Sequence, residues 1–517
     1  MTLVGGVDAA VRAERIAATV SGVTIGRRLA TFRAGRPVPP VGTAHAVGLD
    51  PGPGPVAAGA LAERLADAVG GAVVTGPHGT VVRVDAGRIN VPIDRVRLAR
   101  LPGQPSPERP LVCLDTETTG LGTAAGTVAF TVGIGRWEGD DLRVVQLLLP
   151  DHSDEPALLD AVAVELGDDP ALVTYNGRTF DWPLLVTRFR LHGRPAPALG
   201  AHIDLLTTVR RLFRHRLGRA GLRVVEEGLL SVRRHDEVEG WQIPGLYLDF
   251  LRGGPAAPLG RVARHNAEDI RSLGRLLVLL DRGLADPSGR RDAHPGDLAA
   301  LATLLRRDGR PAEAVDCLDV ALATVRAGRV PAAPAAQAAV DPRGVMGPDA
   351  RDDDDPWWSP RRRADIGGPP RSSPRPVPHP VVSPPDDADD TVQLVRLLAS
   401  RARILRRLGR HDEAGASWEE AAAVAGAGGA AAWIEVAKVR EHALRDHAGA
   451  LLAADRAAAL LARRRAAHRP DPVTEAALAR RRGRLLRRLA RAVAVRDESA
   501  AAPARRRVRD AQRTTPT

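Results

Sequence analysis

"PLVCLDTETTG", Pro110–Gly120, joins an apolar run to two closely spaced acids. Leu111–Leu114 form an unbroken apolar run, the signature of a strand entering a core. The run ends on Asp115 and Glu117. In a strand, residues i and i+2 point to the same face, so these two carboxylates stand together and repel. Such a pair at the tip of a buried strand is costly unless a cation is held there.

Outward from this stretch, strand-like runs at Leu111–Thr116, Thr127–Trp137 and Leu142–Pro150 are joined by short gaps, which predicts an antiparallel meander. The glycines of "GTAAGTVAFTVGIG" (Gly122–Gly135) read as strand bends, because the Lys-Ser/Thr of a phosphate-binding loop is missing. A helical pattern starts at Glu155, "ALVTYN" (Ala171–Asn176) is a short strand, and helices are expected over Trp182–His192, Leu205–Arg216 and Leu259–Asp281.

The chain has 517 residues, is 44% hydrophobic, and carries a formal charge of +12. That length allows more than one domain. Its one lysine, Lys438, stands against a background of arginine. Charge is uneven: Val473–Thr517 holds 13 arginines against four acids, whereas Glu108–Arg282 holds 21 against 24. The basic end suits either a non-specific nucleic-acid arm or a solvated helix. Cys113 and Cys317 have no metal-ligand neighbours and read as buried apolar residues of a reducing compartment. Early charges (Asp8, Arg12, Glu14) break any signal-peptide run, and no apolar stretch is long enough to span a bilayer. The expectation is a cytoplasmic protein with no membrane partner.

The domains are expected as follows. Residues 1–75, rich in Ala, Gly and Pro, are weakly ordered. Residues 76–109 carry a hairpin turning at Ala86-Gly87, then a linker. An α/β domain fills 110–284, and a helical hairpin 292–325. A Pro-rich disordered linker covers 326–391, helical repeats 392–495, and a basic disordered tail 496–517. "LRRDGRPAEAVDCLDVALA" (Leu305–Ala323) matches "LRRLGRHDEAGASWEEAAA" (Leu405–Ala423), with a weaker copy at Leu444–Ala462. These pieces resemble tetratricopeptide repeats, with a generic helical bundle as the plainer alternative.

Two further carboxylates complete a pattern. "TYNGRTFDWPLL" (Thr174–Leu185) puts Asp181 at a helix start, where the dipole favours an anion. "HNAEDI" (His265–Ile270) puts His265 and Asp269 at i and i+4 on one helix face. Each fragment alone is more often an ordinary surface acid or cap. Together they offer four hard oxygen donors, which suit Mg²⁺ or Mn²⁺ and the two-metal chemistry of phosphoester displacement. A zinc hydrolase is disfavoured, since HExxH and a cysteine cluster are both missing.

"DTETTGL", "NGRTFD" and "HNAED", in this order, resemble the three motifs of the DEDD 3′–5′ exonuclease superfamily, and the block from about Arg97 to Arg282 is most similar to the bacterial YprB-like ribonuclease-H-like domain. The meander followed by alternating helix and strand permits that fold. The expected class is therefore α/β, a ribonuclease-H-like mixed sheet flanked by helices, with a separate all-α tetratricopeptide-like C-terminal region. The resemblance implies two Mg²⁺ (or Mn²⁺), held by Asp115, Glu117, Asp181 and Asp269, with Asp115 bridging both. It implies His265 as general base, Thr118 at the terminal nucleotide, Leu121 as a wedge against the terminal base, Asn176 near the phosphate, and Phe180 packed beneath Asp181. Three residues separate His265 from Asp269, where the histidine subclass usually has four, so the base assignment stays open.

The expected function is a metal-dependent 3′–5′ exonuclease on single-stranded DNA or RNA, with a protein partner docked by, or the substrate track extended by, the helical repeats. The alternative is a catalytically silent binding scaffold, which gains nothing from clustered carboxylates opposite a polyanion.

Overall fold

Alternation along Leu111–Glu117 sorts side chains to two faces. Leu111 and Cys113 enter one apolar core and Val112 and Leu114 the other. Asp115 and Glu117 extend the Leu111/Cys113 face. The structure, a computed structural model, describes residues 58–120, 126–235, 237–328 and 387–513, with side chains described within 59–328 and 390–496 of these.

With only helices of eight or more residues numbered, the α/β part runs α1 (Ala58–Val69), β1 (Ala72–Gly76), β2 (Gly79–Asn90), β3 (Leu111–Thr118), β4 (Ala129–Glu138), β5 (Asp141–Leu148), α2 (Glu155–Leu166), β6 (Ala171–Thr174), α3 (Asp181–Leu191), β7 (Ala201–Asp204), α4 (Leu205–Leu212), α5 (Ile243–Leu251) and α6 (Ala257–Leu280). The seven strands form one sheet in the order β1-β2-β5-β4-β3-β6-β7. Strands β3, β4 and β5 are the antiparallel meander expected from the sequence. Strand β6 joins β3 in parallel and β7 joins β6 in parallel. This mixed sheet flanked by helices is ribonuclease-H-like.

Helix α6 crosses the sheet on the face that carries Asp115. Its close approach explains Gly133 and Gly135, read above as strand bends. Both sit mid-strand in β4. A Cβ on Gly133 would come within 2.3 Å of Asn266 Oδ1, and one on Gly135 within 2.6 Å of Ile270 Cγ2. The glycines make room for a helix, not for a bend.

Two local expectations are corrected. Part of the stretch expected to be weakly ordered is structured: α1 buries Leu61 and Leu65, one turn apart, and β1 follows it. The abundant small residues hid this amphipathic face. The hairpin turns at Pro77-His78 between β1 and β2, not at Ala86-Gly87. Gly87 instead marks a bulge, where the β2–β5 register shifts between Asp85 and Arg88.

The C-terminal region is helical: α7 (Pro295–Arg307), α8 (Pro311–Arg326), α9 (Asp387–Arg407), α10 (His411–Val424), α11 (Ala430–His442), α12 (His447–Ala466) and α13 (Pro472–Arg513). The sequence match between Leu305–Ala323 and Leu405–Ala423 is repeated in three dimensions. Gly309 and Gly409 both adopt φ of +76°, the left-handed helix-ending conformation. Arg310 and Arg410 both grip the glutamate three residues on, Glu313 and Glu413, through two parallel hydrogen bonds. The region is not separate in packing: Leu298, Leu301 and Ala302 of α7 share a core with Leu205, Val209 and Phe213. Of the disordered linker expected over 326–391, Arg326 closes α8 and residues 387–391 already belong to α9, whereas 329–386 lie outside the described residues. The tail expected to be disordered from 496 continues as helix to Arg513, in keeping with the high helix propensity of alanine and arginine. Among the described residues no helix is long and apolar enough to cross a membrane.

Candidate metal centre and active site

Asp115 and Glu117 lie on β3, Asp181 is the first residue of α3, and His265 and Asp269 lie one turn apart on α6. The fold brings all five together. His265 Nε2 stands 3.9 Å from a Glu117 oxygen and 3.6 Å from Asp269 Oδ2. Asp181 is 6% exposed and accepts a 2.5 Å hydrogen bond from Oγ1 of Thr116, the residue between the two strand acids in the chain.

The electrostatics are those of crowded acids. Burial, then repulsion from Asp269, Asp181 and Glu117, pushes the Asp115 carboxyl well above its usual range. Burial and the charges of Asp269 and Asp181 do the same to Glu117, with Arg234 opposing. Asp181 is raised by burial to about 6. Asp269 is raised by burial against the pull of Arg234 and His265. Clustered oxygen donors that resist ionising without a cation fit hard divalent ions such as Mg²⁺ or Mn²⁺.

Sequence reading missed the groups that hold these acids. Asn266, fully buried, donates to Asp115 Oδ2 at 2.8 Å, and Gln146 donates to Asn266 Oδ1 at 2.8 Å and to the Ala263 carbonyl at 2.7 Å. This relay from β5 through α6 fixes the Asp115 carboxylate, and Gly133 leaves the space for it. Arg234, from the segment between α4 and α5, donates to Asp269, Glu226 and Glu237. Glu237 Oε1 also lies 3.0 Å from His265 Nδ1. The adjacency of Asn266 to His265 was a signal in the sequence. Nothing local marked Arg234 or Glu237, which lie about thirty residues upstream in an irregular segment.

The remaining expected residues divide. Thr118 is buried and its hydroxyl donates to the Gly120 carbonyl at 2.7 Å, bracing the chain just beyond Glu117. Leu121 lies outside the described residues. Asn176 is engaged locally: its N–H donates to Asp204 and its Oδ1 accepts from Thr179. With φ of +68° it shapes the turn that delivers Asp181. Phe180 is the residue preceding α3, half-buried beside Asp181. Of two aromatic residues outside those expectations, Tyr247 stacks on Phe130 at 4.1 Å inside the core, whereas Trp241 is 75% exposed.

Among the described residues a second group, His215, His294 and Asp297, gathers at the N-terminus of α7. Arg216 already pairs with Asp297 at 2.8 Å. Burial lowers both histidines, His294 to about 4, so they are neutral near pH 7. The helix N-terminus and Arg216 oppose a cation there, and the cluster serves as a junction between the two regions.

The RNase_H superfamily sequence family RNase_H_2 matches residues 112–281. This stretch is an RNase_H superfamily domain. It contains all five clustered residues. The chain is also 38% identical over 180 residues to "Uncharacterized protein YprB" of Bacillus subtilis (strain 168), a match that covers 34% of this chain and 43% of the relative. The chain thus spans less than half the length of that relative. The RNase H domain points to nuclease-type chemistry on nucleic acid and to divalent metal.

Proposed function

We propose that the RNase H domain is a two-metal-dependent 3′–5′ exonuclease acting on single-stranded nucleic acid. One observation carries the reading: Asp115, Glu117, Asp181 and Asp269, from a strand tip, a helix start and a helix face, lie close enough to repel one another, beside His265. Asp115, with Glu117 and Asp269, would hold one ion and, with Asp181, the other. Bound divalent ions would supply Lewis-acid activation of water and neutralise charge on the phosphate. His265 would take a proton at Nε2, a role supported by Glu237 at Nδ1, which favours the tautomer that leaves Nε2 free. Asn266 orients Asp115, and Thr116 orients Asp181. A groove of about 290 Å³ beside His265 is lined by Arg233, Arg261 and Arg264, all exposed, which suits a phosphate backbone.

A catalytically silent scaffold is favoured by one feature: Arg234 already offsets Asp269 without a metal. Incubating 5′-labelled single-stranded DNA and RNA with the protein and Mn²⁺, with and without EDTA, decides between them. Stepwise 3′ shortening that EDTA and Asp115→Ala or Asp269→Ala abolish supports the nuclease; identical traces for all four conditions support the scaffold.

A further inference from the structure

Away from the cleft, α9, α11 and the end of α12 enclose a groove of about 720 Å³. Five cations line it: Arg396, Arg403, Arg406, Lys438 and Arg464. A single carboxylate, Glu435, opposes them, taken up by Lys438 at 2.5 Å and approached by Arg406 at 3.9 Å. Arg396, Arg403 and Arg464 are exposed and have no carboxylate partner among the described residues. The spacing of Arg396, Arg403 and Arg406 puts them along one face of α9, and Lys438, the one lysine of the chain, faces them from α11.

The rest of the lining decides the kind of partner. Trp418 is 6% exposed, covered by the Arg403 guanidinium 5.5 Å from its ring. Ala399 and Ala432 are buried, and Gly428 and Gly429 complete the wall. A folded protein or peptide needs a pocket for a large apolar anchor, and the apolar lining here is Val395, alanines and a tryptophan capped by Arg403. Dense positive charge without apolar anchors suits the repeating phosphates of a nucleic-acid backbone.

We infer that the groove between α9 and α11 is a second, non-catalytic nucleic-acid site that grips the backbone of a single strand without reading its bases. The choice of nucleic acid over another polyanion rests in part on the nuclease reading of the same chain; the binding itself does not require metal or cleavage.

The test uses the full chain in EDTA, with fluorescent oligothymidylate and oligouridylate titrated between about 50 and 200 mM salt. Relative to wild type, the triple variant Arg396→Gln, Arg403→Gln, Arg464→Gln is expected to bind about tenfold more weakly at the lower salt, with a salt slope shallower by about 2. A control removing three exposed arginines elsewhere, Arg252→Gln, Arg291→Gln, Arg469→Gln, is expected to retain most of the affinity. Equal losses in the two triples, with circular dichroism unchanged, would overturn the proposal. So would displacement of the strand by polyglutamate at equal charge concentration, which would make the groove an acidic-peptide site. Metal-dependent cleavage of a dinucleotide by the groove variant, measured separately, tells failure of this site from failure of the active site.

Discussion

His265 Nδ1 lies 3.0 Å from Glu237 Oε1, so one nitrogen of the imidazole is tied to the irregular segment while the other faces Glu117 and Asp269. This orientation predicts a graded effect. Glu237→Leu should lower kcat about 10- to 100-fold with little change in KM, within what a general base contributes. Glu237→Gln, which keeps an acceptor for Nδ1–H, should retain most activity. Steady-state kinetics on a dinucleotide reads the split, and equal activity in all three proteins would remove His265–Glu237 from the mechanism.

The carboxylate cluster predicts an inverse pH dependence for the metal-free protein. Asp181 rises from 3.8 to about 6 on folding, so the folded state binds its proton more tightly. That stability is complete below the unfolded value and is lost as pH rises through about 6. Other acids titrate too, so the readable quantity is the difference from Asp181→Asn. The variant should gain on wild type by on the order of 2 kcal/mol between pH 4 and 7 in EDTA. Denaturant melts at each pH check this, and a flat difference would show that burial does not raise the Asp181 carboxyl.

Metal should remove the same penalty. Mn²⁺ is expected to raise the melting temperature of wild type at pH 7.5, and to do so far less for Asp115→Asn or Asp269→Asn, because binding to the folded state alone stabilises by mass action. Calorimetry that finds equal shifts in the three proteins would place the ion elsewhere.

Arg234 bears on both. Its side chain is 8% exposed and pairs with Glu226, at 1%, and with Asp269. Removing one partner from a buried ion network strands the others. Arg234→Met should cost on the order of 3 to 5 kcal/mol in EDTA, and Mn²⁺ should restore part of it. Loss of stability that metal does not touch would mean that Arg234 serves the fold alone.

Trp241, 75% exposed, follows Glu239 and Gly240 on the cleft wall. Stacking of a base on an exposed ring contributes about 1 to 3 kcal/mol. Trp241→Ala should therefore raise KM for a single strand about tenfold and leave kcat nearly constant. An unchanged KM would assign the ring to another surface.

Local periodicity encodes the β3–β5 meander, the strand acids Asp115 and Glu117, the helix start at Asp181, and the one-turn spacing of His265 and Asp269. A period of two or of 3.6 assigns faces without knowledge of neighbours. Which residues stand opposite one another emerges only when the elements pack. Gly133 proved to be a gap filled by Asn266, Ala86-Gly87 a bulge and not a turn, and the helical region an extension of the domain's core. Arg234 and Glu237 joined the site from an irregular segment without a repeat to read. Those outcomes depend on contacts between residues distant along the chain, whose favourable energies arise only when a helix is laid against a sheet, and local sequence carries no record of that placement.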